Sequence, residues 1–324
     1  MNLFRRHALT ALTCTALSAL CASTALAQAY PARPVTLVNN FPPGGPSDIL
    51  ARSVAAVLQE TLKQPFVVEN KAGAGGNVGA AAVAKAAPDG HTVLFGIDTA
   101  FTVNPHIYPA MPFQPGDLKP VIIMASSGLL IGVNPATGIR RFGDLLSQGR
   151  QKSLNFSSGG NGSPGHLAVA ILSNSTPIKT THIPYRGNTP AVTAVLSGEV
   201  DGGILATPGM LPHVKSGKIT ALAVTSPKRS QLAPELPTVG ELGLKALESE
   251  VLYLVMVPAA TPDPVVQTLA KGIADALQRP DARARLKNLD LFYEGQTGAA
   301  AAQRLARMNA RYGEIVRATG MKSN

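Results

Sequence analysis

Phe41-Pro42-Pro43-Gly44-Gly45-Pro46-Ser47-Asp48 is a rigid, glycine-bearing turn between a short apolar run at 35–38 and an amphipathic segment at 49–62. The apolar run reads as a buried strand and the 3.6-residue spacing after the turn as a helix, the strand–turn–helix unit of an α/β chain. A helix entered this way presents backbone N–H groups without intrahelical acceptors and about half a positive charge, which suits a carboxylate or phosphate. The same residues also fit a plain helix start, in which Ser47 or Asp48 caps the helix and Asp48 pairs with Arg52 at i,i+4 spacing. The turn by itself leaves both readings open.

Outward from this unit, short apolar runs alternate with helix-like segments. Strands are expected at 66–68, 92–95, 121–124, 129–133, 154–156, 182–185, 203–205, 221–224 and 252–257, and helices at 78–86, 166–173, 191–196 and 211–216. This βαβ rhythm implies largely parallel sheets covered by helices. A fresh strand–helix series starts after Asn134-Pro135, and near 253–258 the chain enters a long helical part with helices at 264–277, 281–286 and 299–317. A chain that runs into a second lobe and returns makes a hinge around a cleft. The expected division is a signal segment at 1–27, a first lobe at 28–130 plus 252–324, and a second lobe at 131–251.

The beginning of the chain reads as an export signal. Arg5 and Arg6 precede an apolar run at 8–26 that closes on Ala25-Leu26-Ala27, which predicts cleavage after Ala27 and a periplasmic location. A retained anchor fits less well, because Thr, Ser and Cys interrupt the run, and Cys21 follows Leu20 rather than the small residue that lipidation needs. Both cysteines, Cys14 and Cys21, leave with the signal, so the mature chain has no thiol chemistry. Removing residues 1–27 also takes two arginines and no acidic residue, lowering the formal charge from +10 to +8. The remaining cations are dispersed, Trp is absent and aromatics make up 5% of the chain, which argues against nucleic acid and for attraction of a small anion.

Two further glycine-rich turns follow expected strands. Lys71-Ala72-Gly73-Ala74-Gly75-Gly76-Asn77 reads first as a tight connection capped by Asn77. Ser157-Ser158-Gly159-Gly160-Asn161-Gly162-Ser163-Pro164-Gly165-His166 gathers hydroxyls and N–H groups that suit a carboxylate, which needs several donors at once. Gly160, Gly162 and Gly165 have dinucleotide-fingerprint spacing, but Pro164 lies inside the phosphate turn and an exported chain has poor access to nicotinamide cofactors. A triad of Ser163, His166 and Asp201 lacks the nucleophile elbow, and the six histidines have no metal-ligand spacing. No catalytic residue, metal or cofactor is therefore expected. Two anion-binding turns, one per lobe, could hold one ligand between two helix N-termini, with Arg186 either adding a long-range charge or covering surface.

These motifs resemble the receptors of tripartite tricarboxylate transporters, the Bug family of periplasmic solute-binding proteins. The resemblance rests on residues 41–48, Val67-Val68-Glu69-Asn70 with the turn to Gly76, Ala87-Pro88-Asp89-Gly90, Asn104-Pro105, the 159–167 turn, Pro184-Tyr185-Arg186-Gly187, Leu222-Ala223-Val224-Thr225 and Leu236-Pro237-Thr238-Val239, and it runs the length of the mature chain. It implies an α/β, type II periplasmic binding-protein fold: two lobes with mixed, mostly parallel sheets, a hinge and a central ligand cleft. It also implies a monomer that delivers a small organic carboxylate to membrane permease subunits, with signalling to a membrane sensor kinase as the alternative role. By motif match, the implied ligand-binding residues are Gly44, Gly45, Ser47 and Asp48 from the first lobe and Ser157, Ser158, Asn161, Gly162 and Ser163 from the second, gripping a carboxylate partly through water. Asp98, Thr99, Ala206 and Tyr253 are weaker candidates for the distal wall. Where the family often has Trp-Tyr-Gly this chain has Leu252-Tyr253-Leu254, and the expected strand at 203–205 runs into Ala206-Thr207. A less polar far wall follows, and with it a ligand of one carboxylate and an apolar or aromatic remainder rather than a citrate-like polyacid.

Overall fold

The computed structural model describes residues 30–323, so the signal segment at 1–27 lies outside the described residues. Its strands, in chain order, are β1 (Val35–Asn39), β2 (Phe66–Asn70), β3 (Thr92–Ile97), β4 (Leu118–Ser127), β5 (Leu129–Val133), β6 (Leu154–Ser158), β7 (Thr180–Pro184), β8 (Gly202–Ala206), β9 (Thr220–Val224), β10 (Val251–Pro258) and β11 (Phe292–Thr297). They form a six-stranded sheet, β11-β4-β10-β3-β1-β2, and a five-stranded sheet, β7-β6-β8-β5-β9. The first takes its strands from both ends of the chain and the second from the middle, which is the two-lobed α/β arrangement expected from the sequence.

Both sheets are mixed, but the expectation of mostly parallel pairing holds for only one side of each. β1 pairs in parallel with β2 and β3, and β6 with β7 and β8. β10 and β11 run antiparallel to their neighbours, as does β5. The reason is the crossing: β4 leads out of the first sheet directly into β5, and β10 brings the chain back, so these strands are not joined by βαβ units.

Two of the longer elements depart from the sequence expectations. β11 lies within the stretch read as helical; it is an edge strand whose residues are mostly half-buried, with an irregularity between Tyr293 and Gln296. It therefore lacks the alternation that marks a strand. The helix Phe142–Gln151 was not expected, since Gly143 and Gly149 dilute its pattern. Its start is held by Asp144, whose carboxylate accepts from the Arg140 and Arg141 amides, and by burial of Phe142 and Leu145.

Each sheet has its own core. Val38, Leu94, Ile123, Leu252 and Leu254 pack with Leu305 of the helix Gly298–Thr319, and Leu130, Leu205 and Met210 pack with Val192 and Val195 of the helix Asn188–Ser197. The crossings between the sheets are tied by side chains. The buried Thr225 hydroxyl accepts from the Leu129 amide at 2.9 Å and donates to the Ser249 carbonyl at 2.9 Å, joining the outgoing and returning segments. Gly128 lies so close to Ser226 that a Cβ would sit 2.6 Å from the Ser226 nitrogen, so no side chain fits there. Asp98, fully buried, accepts from the Leu252 amide at 2.8 Å and the Thr102 hydroxyl at 2.7 Å, fixing the start of β10 against the end of β3. Burial raises its carboxyl from 3.8 to about 6, against the lowering effect of those two hydrogen bonds.

Replacing Thr225 by Val strands the Leu129 N–H and the Ser249 carbonyl. The expected cost is roughly 1–3 kcal/mol of unfolding free energy in chemical denaturation, largely recovered in Thr225→Ser.

Candidate ligand-binding cleft

The turn at 41–48 is set by one carboxylate. The helix Pro46–Leu62 starts with Pro46 in its first turn, buries Leu50, Val54, Val57 and Leu58 on one face, and has Gly45 as N-cap without a side-chain cap. Asp48 instead closes the turn. One of its oxygens accepts from the Gly44 amide at 3.1 Å and Arg52 Nε at 3.2 Å, the other from Arg52 Nη2 at 3.0 Å and Asn70 Nδ2 at 2.9 Å. Asn70 Nδ2 also donates to the Phe41 carbonyl at 3.2 Å, which takes a second bond from Asn39 Nδ2 at 3.0 Å. Burial alone would raise the Asp48 carboxyl, but Arg52, the Gly44 amide and Asn70 together hold it below its ordinary value. The buried acid is thus consumed in shaping the turn, and the i,i+4 pairing with Arg52 forms as the spacing predicted.

The turn after β6 is organised in a similar way. Ser163 is the N-cap of the helix Pro164–Ser175 and accepts from the His166 amide at 3.3 Å. His166 Nδ1 accepts from the Gly162 amide at 3.2 Å, and the His166 ring stacks on His182 with centroids 4.0 Å apart and planes 8° from parallel. Ser158 Oγ lies 2.6 Å from His182 Nε2 and accepts from the Gly160 amide, while Ser157 Oγ donates to the Ala191 carbonyl at 3.0 Å. Both hydroxyls are fully buried and engaged inside their own half. Asp201 accepts from the Asn155 amide, so Ser163, His166 and Asp201 form no relay. Burial lowers His166 from 6.5 to about 3, with a further contribution from His182, and burial lowers His182 to about 4, so both are neutral at pH 7.

The two halves meet over these turns. The Tyr108 hydroxyl donates to the Asn161 carbonyl at 3.4 Å, and a Cβ on Gly162, at φ +74°, would come within 2.5 Å of Asn104 Oδ1. Gly187 approaches Pro42 less closely from the other side, with 3.2 Å between a Cβ there and the proline ring. Between them lie two cavities that share Phe41, Gly159 and Gly187 as a neck. The inner one, about 80 Å³, runs from the Ser163–Pro164–Gly165 helix start to a wall of Ile97, Leu129, Ile204, Leu205, Val251 and Tyr253. The outer one, about 450 Å³, is lined by Asn40 and Pro42, by the glycine-rich turn at 72–76, by Tyr108 and by Arg186.

Of the residues singled out from sequence, Ser163, Ala206 and Tyr253 line the inner cavity and Asn161 the outer one. Gly44, Gly45, Ser47, Asp48, Ser157, Ser158 and Gly162 line neither; they build the two turns from behind. Asp98 and Thr99 face a separate small recess of about 10 Å³. The first turn reaches the cleft through Phe41 and Pro42, which precede its glycines in the chain. The 71–77 turn is more than a connection: Gly73, Ala74, Gly75 and Gly76 all have positive φ, Gly76 rather than Asn77 is the N-cap, and the Asn77 side chain instead accepts from Asn104. Four glycine-compatible positions in succession were the available signal for this wall.

Two outcomes follow for stability. A folded-state pKa below the unfolded value means that Asp48 contributes stability above about pH 4 that is lost as pH falls through its folded pKa. Asp48→Asn should therefore be less stable than the parent at pH 7 by roughly 1–3 kcal/mol, with the gap closing below pH 4 in denaturation measurements. For the buried histidines the unfolded chain takes up protons first, so stability declines as pH falls from 6.5 towards 4 and levels near the folded pKa values. The slope should be up to about 1.4 kcal/mol per pH unit per histidine and visibly flatter in His166→Gln.

Comparison with known proteins places this architecture. Residues 50–321 match the tripartite tricarboxylate transporter family receptor family, TctC. The chain is 37% identical over 256 residues to the protein BugT of Bordetella pertussis, covering 78% of each. A solved R. palustris protein with adipate is 31% identical with a TM-score of 0.86, covering 90% of this chain and 99% of that one. The structure of the periplasmic binding protein BugD is 30% identical with a TM-score of 0.84, covering 91% and 100%. With more than four fifths of its residues matched by the family and its two sheets shared with solved binding proteins, the chain belongs to the tripartite tricarboxylate transporter receptors of the Bug family.

Proposed function

We propose that this chain is a periplasmic receptor that captures a small carboxylate-containing organic anion between its lobes and hands it to the membrane permease of a tripartite transporter. The observation that carries this is the cavity between the turn at 41–48 and the N-terminus of the helix Pro164–Ser175, in a chain of the receptor family. The helix start favours negative charge, and the cavity walls contain no acidic residue. A relative solved with adipate supports a carboxylate as cargo.

The lobes are 28–130 with 252–324, and 131–251, after cleavage of the signal at Ala27. In this reading Ser163 and Asn161 face the ligand directly. Gly44, Gly45, Ser47, Asp48, Ser157, Ser158 and Gly162 hold the two turns at the spacing it requires. Closure follows from the cross-cleft contact of Tyr108 with the Asn161 carbonyl, which a bound anion would favour by bringing the turns together. Release on docking to the permease requires that this contact open.

A thermal-shift screen of the mature protein tests the reading. A cognate carboxylate at 100 times its Kd adds about 2.7 kcal/mol, which for a chain of this size raises Tm by roughly 5 °C. The matching alcohols and primary amides should leave Tm unchanged. Equal shifts with the uncharged analogues, or none with any carboxylate, would remove the anion-receptor reading.

A further inference from the structure

The two cavities differ in chemistry, and the difference specifies the ligand and its orientation. No charged residue lines the inner chamber, and its far wall is aliphatic apart from Tyr253. Several of the polar atoms around it are already committed to the protein. Asn188 Oδ1 accepts from the Ala206 amide at 3.0 Å, and the Tyr253 hydroxyl lies 3.5 Å from Ser127 Oγ. Behind this wall Asp98, whose carboxyl is turned to Leu252 and Thr102, contributes with Asp290, after burial, to raising Tyr253 to about 12. A second carboxylate driven into this chamber would meet no cation on its walls. Burying an unpaired charge in that way is strongly unfavourable.

The outer chamber has the opposite character. Its one charged lining residue is Arg186, which is exposed and forms no ion pair among the described residues. Arg186 follows β7 on the segment that ends at Gly187, the glycine forming part of the neck between the chambers. The volume of the inner chamber, about 80 Å³, is roughly half that of an apolar cavity that admits benzene, so it suits an alkyl chain of about three or four carbon atoms better than an aromatic ring.

Building on the receptor function proposed above, we propose that the cargo is a short-chain aliphatic monocarboxylate bound tail first. Its alkyl chain fills the inner chamber, its carboxylate stops at the neck beside Gly159, Ser163 and Gly165, and Arg186 is the entrance cation that draws it in. This narrows the remainder expected from sequence, apolar or aromatic, to aliphatic.

Titration calorimetry and stopped-flow binding on the mature protein, with butanoate, pentanoate, glutarate, adipate and benzoate as probes, test this directly. Butanoate or pentanoate should bind at least 10-fold more tightly than either diacid or benzoate. Arg186→Gln, an exposed substitution that leaves the fold intact, should slow association about threefold to tenfold at low salt and flatten its salt dependence. A diacid or benzoate that binds as tightly as the monoacids overturns the ligand class while leaving the carboxylate receptor standing. Association and salt dependence unchanged in Arg186→Gln overturn the role of that residue. Failure of all five probes, together with a blank wider carboxylate screen, would instead overturn the receptor function on which the proposal rests.

Discussion

A single buried carboxylate sets the geometry of the cleft. Asp48 collects the Gly44 amide, the Arg52 guanidinium and the Asn70 amide, and through Asn70 it fixes the Phe41 carbonyl. An aspartate beside an anion site would ordinarily repel the ligand. Here its charge is spent on Arg52 and on the turn itself, so the acid becomes the brace that aims Phe41 and Pro42 at the neck. The cleft-lining end of the first turn is positioned from this clasp.

The second lobe uses the same economy with different groups. Ser157 and Ser158, which read as ligand donors, are consumed in holding β6 to its neighbours and to the stacked pair His166 and His182. Those neutral histidines support the turn from behind and leave the helix start at Ser163–Pro164–Gly165 as the polar face of the chamber. The two turns then close on each other because Gly162 and Gly187 carry no Cβ where Asn104 and Pro42 approach. The hinge that permits this is itself tied by Thr225 and by the tight packing of Gly128 on Ser226.

Much of the fold was legible because local pattern and tertiary structure agree. Ten of the eleven strands fall where short apolar runs were read, and the helices after the glycine-rich turns start within a few residues of their expected positions. The missed β11 is half-buried at a sheet edge, and an edge strand carries little periodicity. Antiparallel pairing around β10 was hidden because pairing direction depends on where the chain returns, not on local composition. At the site, sequence identified the two turns but not which of their atoms face the cavity. Side-chain hydroxyls and the Asp48 carboxylate look like ligand groups in a string of letters; their use as internal braces emerges only when Asn70, His182 and Ala191 are brought to them from 22 to 34 residues away. A less polar far wall was expected from 252–254 and 205–207, but not that Leu129, Ile204 and Val251 form it, since each of these reads as ordinary strand core.

The cleft therefore combines a charge-free pocket with a cationic entrance, and the most direct measurement is the identity of what it carries. Native mass spectrometry of the protein gently purified from the periplasm weighs the retained cargo without choosing it beforehand. The expected result is a complex whose added mass is one short aliphatic monocarboxylic acid. A retained di- or tricarboxylate, or an uncharged ligand, would contradict it.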